Sequence, residues 1–238
     1  MTSLESALGT SGHRGLFIVF EGLDGAGTTT QSALLAETLR GHGITVEVTA
    51  EPSAGPIGGL ARAALDGRMH LDPAALALVF AADRLDHLLN PVNGIVDSLE
   101  KGHWVICDRY VLSSLAYQAA QMLDLEWLSA INSRAITPDV TVFIDTPPDV
   151  CMHRILSRSS RDELFHDRGY LRRVRSKYRS VLAKNQWLGE LVTASGDLPP
   201  SKVADEIFTG LLNLLSTRFN PLVDVAQLSD ATPKAASG

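Results

Sequence analysis

The feature that most constrains the fold is a strand–turn–helix pattern in residues 16–31. Residues 16–20, LFIVF, form an apolar run rich in β-branched and aromatic residues, which predicts a buried strand. Glycines at positions 22, 25 and 27 follow and end that strand. Residues 32–40 then place apolar side chains along one side of a predicted helix. Such a turn is typical of a loop that holds phosphate, because backbone N–H groups and the helix dipole both favour an anion.

The spacing of this turn nearly matches the P-loop pattern G-x-x-x-x-G-K-[ST]. Gly22 and Gly27 occupy the two glycine positions, and Thr29 supplies the hydroxyl expected to bind Mg²⁺. Thr28, however, lies where the pattern has a lysine, the residue that normally meets the β- and γ-phosphates as a point charge. The plainer interpretation of these residues alone is an ordinary glycine turn after a buried strand.

Length and composition bound the classes of protein that this chain can belong to. Its 238 residues are 45% hydrophobic and 20% charged, which excludes wholesale disorder and fits one large α/β domain. The formal charge of −6 gives no general attraction for nucleic acid or an anionic membrane. No apolar run approaches the ~20 residues of a membrane helix. Two cysteines, Cys107 and Cys151, form neither a metal spacing nor a disulfide framework, which favours a reduced cytosolic protein.

Further strands are predicted at residues 44–49, 104–107 and 140–144, each separated from the next by helical patterns. Strands that alternate with helices predict a doubly wound parallel sheet with flanking helices, an α/β fold in a single domain over residues 15–216. Residues 1–14 are expected to be a loose N-terminal extension without the apolar core of a signal peptide. Residues 217–238 are expected to form a disordered tail.

Two of these strands are followed by candidate functional segments, because open α/β sheets bind ligands at the carboxyl ends of their strands. Residues 51–58, EPSAGPIG, form a turn-rich loop, although a plain connector would have the same composition. Asp108 and Arg109 come directly after the third strand. Asp108 could orient a Mg²⁺-bound water or accept a proton, and Arg109 could hold phosphate. A surface ion pair is the alternative.

A helix is predicted over residues 73–90, with Asp72 as its N-cap and a proline just beyond its end. Phe80, Arg84 and His87 share one face because they are spaced by four and three residues. An aromatic ring beside an arginine could stack on a nucleobase and bind its edge. On spacing alone, a Phe80 in the core and an Arg84 paired with a nearby acid are the plainer interpretation.

An arginine-rich segment near residues 154–168 has the composition of a lid. Arg158 and Arg161 lie in a short polar stretch, SRSSRD, that precedes another helical pattern. A polar segment with arginines suits a lid that closes over phosphates, and a surface loop is the alternative.

Several stretches together resemble the thymidylate kinase family of P-loop nucleoside monophosphate kinases. The matching stretches cover most of residues 16–180, in the order of the family: FEGLDGAGTTTQ (20–31), EPSAGPIG (51–58), LVFAADRLDH (78–87), VICDRYVLSSLAYQ (105–118) and PDVTVFID (138–145). The combination of FAADRLDH with DRY and SSLAYQ is the most specific part. The resemblance implies ATP-dependent phosphorylation of dTMP to dTDP with Mg²⁺, in a cytoplasmic homodimer.

The resemblance also implies a donor site at the P-loop. The ATP phosphates would be held by Gly22, Leu23, Asp24, Gly25, Ala26, Gly27, Thr28 and Thr29. Thr29 and Asp108 would bind or position the metal. Asp24 would bind the 3′-hydroxyl of the acceptor or organise metal and water.

The implied acceptor site takes residues from three other stretches. Phe80 would stack on thymine, Arg84 would hydrogen-bond its carbonyl edge, and Arg109 would hold the dTMP phosphate. Tyr117 would lie against the deoxyribose, where it would disfavour a 2′-hydroxyl. Gln118 would border the base pocket, and Glu51 and Ser114 complete the implied acceptor set.

Two residues depart from the family pattern and leave other functions open. Thr28 replaces the P-loop lysine, and Ala50 replaces the arginine usually found just before Glu-Pro. We hypothesise that Arg158 or Arg161 enters the closed site and supplies the missing charge; wild-type turnover in both Arg158→Ala and Arg161→Ala would refute this. The alternatives are a kinase for another nucleotide or small-molecule acceptor, and a nucleotide-binding pseudokinase that acts through partners.

Overall fold

The structure, a computed structural model, describes residues 14–158, 168–184 and 187–216. The strands are β1 (Phe17–Gly22), β2 (Val46–Ala50), β3 (Trp104–Asp108), β4 (Val140–Asp145) and β5 (Glu190–Ser195). The described helices are α1 (Thr28–Gly41), α2 (Pro56–Leu65), α3 (Pro73–Leu89), α4 (Ile95–Glu100), α5 (Val111–Ala120), α6 (Leu125–Ile131), α7 (Pro148–Arg158), α8 (Arg168–Leu182) and α9 (Pro200–Leu214). The predicted tail, most of the predicted extension and most of the predicted lid lie outside the described residues.

The five strands form one parallel sheet in the order β2-β3-β1-β4-β5. All residues of β1 and β3 are buried, as are all but the last of β4. A central strand that is buried on both sides has a continuous apolar run, which is why LFIVF and WVIC could be recognised as strands. The predicted α/β fold with a doubly wound parallel sheet and flanking helices is therefore confirmed.

The edge strand β5 was not among the predicted strands. Only Val192 and Ala194 of its six residues are fully buried, so its apolar signal is weak. It pairs with β4 from Val140↔Glu190 to Asp145↔Ser195. Its position is set by this pairing and by α9, whose Val203, Ile207 and Leu211 are buried in the core.

Helix α1 begins four residues earlier than the apolar pattern predicts. Gly27, with φ of 103°, is its N-cap, so Thr28 and Thr29 belong to its first turn. In α3 the predicted N-cap is confirmed, because the Asp72 carboxylate accepts a hydrogen bond from the backbone N–H of Ala74 at 2.8 Å. Phe80 is only partly buried and lies outside the packed core of the described residues, so the interpretation of this ring as core is wrong.

The parallel register brings the ends of neighbouring strands to one edge of the sheet. Phe20 of β1 and Ala50 of β2 both align with Asp108 of β3, and Gly22 aligns with Ile144 of β4. The turn after β1, the loop after β2 and the polar pair after β3 therefore meet at this edge, where parallel α/β sheets bind their ligands.

Candidate active site

The loop between β1 and α1 has the backbone geometry of a phosphate cradle. Gly25 and Gly27 both have positive φ, 78° and 103°, a region that favours glycine. A Cβ on Gly25 would also lie 2.7 Å from the carbonyl oxygen of Cys151, so no side chain fits there. The first N–H groups of α1 have no intrahelical partner and are free to bind an anion at the mouth of this loop.

The position of the usual P-loop lysine is occupied by a nearly buried threonine. Thr28 has 4% of its surface exposed, and a Cβ on Gly22 would lie 3.3 Å from the Thr28 methyl carbon. A cation nevertheless reaches the same loop from α7. Arg154 Nη1 donates to the carbonyl oxygens of Gly25 and Ala26 at 3.3 and 3.4 Å.

The next threonine joins the P-loop to the end of β3. The Thr29 hydroxyl donates to Oδ2 of Asp108, the last residue of that strand. Asp108 is 8% exposed, and its other oxygen, Oδ1, is buried without a hydrogen-bond partner among the described residues. A hydroxyl next to a carboxylate oxygen that still lacks a partner is an oxygen donor set of the kind that Mg²⁺ prefers.

Arg109 is held over the loop by a strained backbone and by several hydrogen bonds. Its φ of 75° is rare for a residue with a side chain, and its N–H donates to the carbonyl oxygen of Phe20 at 2.9 Å. The guanidinium donates to the Gly22 carbonyl oxygen and, at 2.8 Å, to Oδ1 of Asp24. The interpretation of a surface ion pair is wrong, because the acid partner of Arg109 belongs to the P-loop itself.

The ring of Tyr117 lies beneath the Arg109 guanidinium, 5.5 Å from its central carbon. The hydroxyl of this tyrosine accepts a hydrogen bond from the backbone N–H of Asp24 at 2.7 Å. Tyr117 therefore links α5 to the P-loop, in addition to the sugar contact that the resemblance implies.

A buried carboxylate lies behind Arg109, and the sequence analysis did not identify it. Glu21 is 0% exposed and accepts hydrogen bonds from the N–H groups of Tyr110 and Ser113 at 3.0 and 3.2 Å. The hydroxyls of Ser113 and Tyr178 also donate to it, the latter at 2.9 Å. Burial raises the pKa of Glu21, although these hydrogen bonds and the charge of Arg109 oppose the shift. The sequence did not predict this cluster, because a single Glu after an apolar run does not reveal its hydrogen-bond partners.

The second polar centre is a buried ion pair between β2 and α3. Arg84 donates through Nε and Nη2 to Oε2 of Glu51, at 2.8 and 2.6 Å, and both side chains are 2% exposed. Its Nη2 also donates to the Ser114 hydroxyl at 2.9 Å, and its Nη1 to Oδ1 of Asn132. The pairing of Arg84 with a nearby acid is thus present, and Asn132, just after α6, is a partner that the sequence did not reveal.

The two remaining predicted base contacts lie near this centre along the chain. Phe80, one turn before Arg84 on α3, is only partly buried. Gln118 on α5 is buried, and its Oε1 lacks a hydrogen-bond partner among the described residues.

The loop after β2 is anchored from below by α3. The Asp83 carboxylate accepts from the N–H and the hydroxyl of Ser53 at 2.7 and 2.5 Å. Gly58 allows α2 to approach the loop, because a Cβ there would overlap the Ser53 carbonyl oxygen. These hydrogen bonds and the close approach at Gly58 therefore fix the conformation of residues 51–58.

Glu51, His87 and Cys107 bring three atoms of metal-ligand type within 4.8 Å of one another. These residues do not fit a metal ion, because the Glu51 carboxylate already pairs with the Arg84 guanidinium. The thiol is also fully buried, and burial raises the pKa of Cys107, which disfavours the thiolate that binds metal.

Comparison with known proteins decides the family of this chain. Residues 20–202 match the sequence model of the family described as thymidylate kinase. The chain belongs to the thymidylate kinase family. The matched region begins in β1, ends in α9 and therefore contains every element that contributes a described side chain to the site.

Individual members of the thymidylate kinase family are similar in sequence to this chain over most of their length. A thymidylate kinase of Thermomicrobium roseum is 38% identical over 210 residues, which cover 84% of this chain and 95% of the relative. A probable thymidylate kinase of Pyrococcus abyssi is 43% identical over 171 residues, 69% and 82% of the two chains. One of Methanococcus aeolicus is 39% identical over 166 residues, 70% and 79%.

Arg158 and Arg161 are the two arginines expected in the thymidylate kinase lid. Arg161 and the side chain of Arg158 lie outside the described residues. Their roles stay predictions. Within the residues that the structure describes, no helix is both long and apolar enough to cross a membrane.

Proposed function

We propose that this chain transfers the γ-phosphoryl group of ATP to dTMP, giving ADP and dTDP by direct in-line displacement. The observation that carries the proposal is the meeting of the P-loop, Thr29, Asp108 and Arg109 at one edge of the sheet. Phosphoryl transfer depends mainly on positioning and on neutralising the charge of the γ-phosphoryl oxygens. These groups suit both tasks, and no covalent intermediate on the protein is needed.

The donor phosphates would bind in the loop from Gly22 to Thr29. Positive φ at Gly25 and Gly27 opens the loop, and the first turn of α1 directs N–H groups towards the bound anion. Asp24 pairs with Arg109 and holds the guanidinium beside the loop. This places a fixed positive charge next to the site where the γ-phosphoryl group would lie.

Magnesium fits the residues at the mouth of the loop. Thr29 and Asp108 would hold it, and Oδ1 of Asp108 is the buried oxygen that still lacks a partner among the described residues. When bound, Mg²⁺ neutralises charge on the β- and γ-phosphates. The carboxylate of Asp108 also fixes the Thr29 side chain, which keeps both oxygens on the same side of the loop.

The acceptor would lie between Arg109 and the α3 face. Arg109 would bind the dTMP phosphate, while the partly buried Phe80 would stack on thymine. Arg84 is held in place by Glu51, Ser114 and Asn132, so its position is fixed before any ligand arrives. A preorganised guanidinium costs little entropy when it meets the edge of a base.

A panel of nucleoside monophosphates, assayed with ATP and Mg²⁺ by coupled detection of ADP, tests this function. We expect turnover on dTMP and much weaker turnover on dUMP, UMP, dCMP, GMP and AMP. Asp108→Asn should lower kcat by about 10²-fold or more, because it removes a charge next to the metal. The exposed Asp97→Asn serves as its matched control and should retain wild-type rates. Turnover only on another monophosphate, or on none, contradicts the proposal.

Three further properties belong to the same proposal. We expect a homodimer, on the family resemblance, and a mass of twice 25.6 kDa by analytical ultracentrifugation would support it. We expect the cytoplasm as its location, because nucleotide synthesis takes place there and both cysteines are buried and free. Arg158 and Arg161 stay proposed as lid arginines, and each is tested by its alanine variant in the dTMP assay.

A further inference from the structure

The donor loop of this chain lacks the cation that its spacing calls for. Thr28 fills the lysine position with a hydroxyl and a methyl group, and the methyl carbon lies near Gly22. A triphosphate with Mg²⁺ still carries net negative charge there. If the chain is a kinase, another group must meet the phosphates at this position.

Arg154 is the described cation that contacts the carbonyl oxygens of this loop from α7. Its Nη1 lies 3.3 Å from the Gly25 oxygen and 3.4 Å from the Ala26 oxygen. The first turns of α7 pack directly against the loop, since a Cβ on Gly25 would meet Cys151 at 2.7 Å and Ile155 at 3.2 Å. This packing fixes the distance between the loop and α7, the helix that carries Arg154.

Among the residues that the structure describes, Arg154 has no acidic partner. Arg109, Arg175 and Arg168 pair with Asp24, Asp145 and Asp149, respectively. No carboxylate among the described residues pairs with Arg154, and its two contacts are long hydrogen bonds to neutral carbonyl groups. A guanidinium bonded to phosphate makes stronger, charge-assisted hydrogen bonds, so exchange from the carbonyl groups to a bound phosphate is favourable.

We propose that Arg154 binds the donor phosphates in place of the missing P-loop lysine. This inference rests on the proposed kinase function and adds the residue that completes its donor site. It differs from the hypothesis about Arg158 and Arg161, because it names Arg154, whose contacts with the loop carbonyl groups lie among the described residues. A merely structural role for Arg154, tying α7 to the loop, is the interpretation that the experiment must exclude.

The test is a double-mutant cycle between positions 28 and 154. The variants are Arg154→Ala, Thr28→Lys and the double variant that carries both substitutions. Kd for a non-hydrolysable ATP analogue with Mg²⁺ is measured by calorimetry, and kcat and KM for ATP and dTMP by the coupled assay. Arg172→Ala is the matched control, because Arg172 is exposed on α8 and pairs with Asp149 at 3.8 Å.

We expect Arg154→Ala to lower kcat/KM for ATP by about 10²-fold and to weaken analogue binding, while KM for dTMP changes little. Thr28→Lys should restore most of this loss in the double variant, because a lysine returns the charge to the loop. Arg154→Lys should lie between wild type and Arg154→Ala. Arg172→Ala should stay within about twofold of wild type.

Two results would overturn the inference. The first is an Arg154→Ala variant that binds the analogue and uses ATP as the wild type does. The second is a folded double variant in which the Thr28→Lys substitution rescues neither binding nor turnover, since a lost structural contact cannot be replaced by a charge at position 28. A wild-type chain that binds the analogue but never phosphorylates dTMP would instead contradict the proposed function, and the Kd values would still decide the role of Arg154.

Discussion

At the scale of single residues, the site depends on charges that are removed from water. Arg84 and Glu51 are both 2% exposed, and the Arg84 guanidinium lies 5.1 Å from the centre of the Tyr110 ring. The desolvation of two such charges is offset only while each has its partner. A change at either position therefore acts on the stability of the whole chain as well as on the acceptor site.

Removing one member of this pair should be costlier than removing both. We expect Arg84→Met and Glu51→Leu each to lower the free energy of unfolding by roughly 3–5 kcal/mol, because each leaves a buried charge alone. The double variant should lose less than the sum of the two. Urea unfolding measures all three. Lys101→Met, in the exposed Lys101–Asp97 pair, is the control and should cost under about 1 kcal/mol. Strictly additive losses would contradict the prediction.

Glu21 predicts a pH effect on stability, because burial raises its pKa in the folded state. A carboxyl with a raised folded pKa favours folding at pH values below its ordinary pKa, and this contribution is lost as the pH rises through the raised value. The stability of the wild type relative to Glu21→Gln should therefore fall as the pH rises through that window. Unfolding in urea at several pH values measures the difference. A constant difference, or one that increases with pH, would contradict the shift.

The sequence could name the residues of this site better than it could name their partners. Arg84, Asp108 and Arg109 were identifiable because each follows a strong periodic or strand signal. Their partners Glu51, Thr29 and Asp24 lie 33, 79 and 85 residues away. Contacts at such separations depend on the order of strands in the sheet, which no local pattern records. Asn132 and Tyr178 were missed for the same reason.

At the scale of elements, the loop after β2 owes its shape to one of two adjacent glycines. Gly58 has the Ser53 carbonyl oxygen where a Cβ would go, whereas the nearest atom to a Cβ on Gly59 is 3.9 Å away. Both residues belong to α2, so helix propensity affects them equally. Comparing the two glycines therefore distinguishes the effect of close packing from the effect of backbone flexibility.

Gly58→Ala should disturb the loop, and Gly59→Ala should not. We expect Gly58→Ala to lower the free energy of unfolding by roughly 1–3 kcal/mol through overpacking and to raise KM for dTMP, because residues 51–58 shift. Gly59→Ala should be neutral or stabilise by about 0.4–1 kcal/mol. Thermal unfolding and the dTMP assay measure both effects. Equal behaviour of the two variants would show that the close approach at Gly58 does not control the loop.

The four predicted strands have a clear sequence pattern, which is a continuous apolar run in the buried strands and a polar–apolar alternation in the exposed edge strand β2. Strands β1, β3 and β4 lie in the middle of the sheet and have continuous apolar runs. Strand β5 is the other edge strand, and its sequence ELVTAS has neither a continuous apolar run nor a regular alternation. The start of α1 was placed late for a related reason: its first turn serves the loop and carries polar threonines in place of an apolar stripe.

At the scale of the whole molecule, the order β2-β3-β1-β4-β5 makes the site a product of distant segments. Strand β1 has β3 on one side and β4 on the other, so the P-loop has Asp108 and Arg109 on one flank and α7 with Arg154 on the other. The donor and acceptor sites thus share the central strands. Nucleotide binding should consequently stabilise the fold as one unit rather than a detached part.

Ligand-linked unfolding tests this view. A nucleotide present at 100 times its Kd stabilises the native chain by about 2.7 kcal/mol. Since 1 kcal/mol moves the Tm of a chain of this size by about 2–4 °C, each saturating nucleotide should raise Tm by about 5–11 °C. We expect such shifts with dTMP and with an ATP analogue plus Mg²⁺, and a larger shift with both. Arg109→Ala should lose most of the Tm shift that dTMP produces and keep much of the shift that the ATP analogue produces. A dTMP shift that persists in this variant would remove the acceptor phosphate from Arg109 and require another anchor for it.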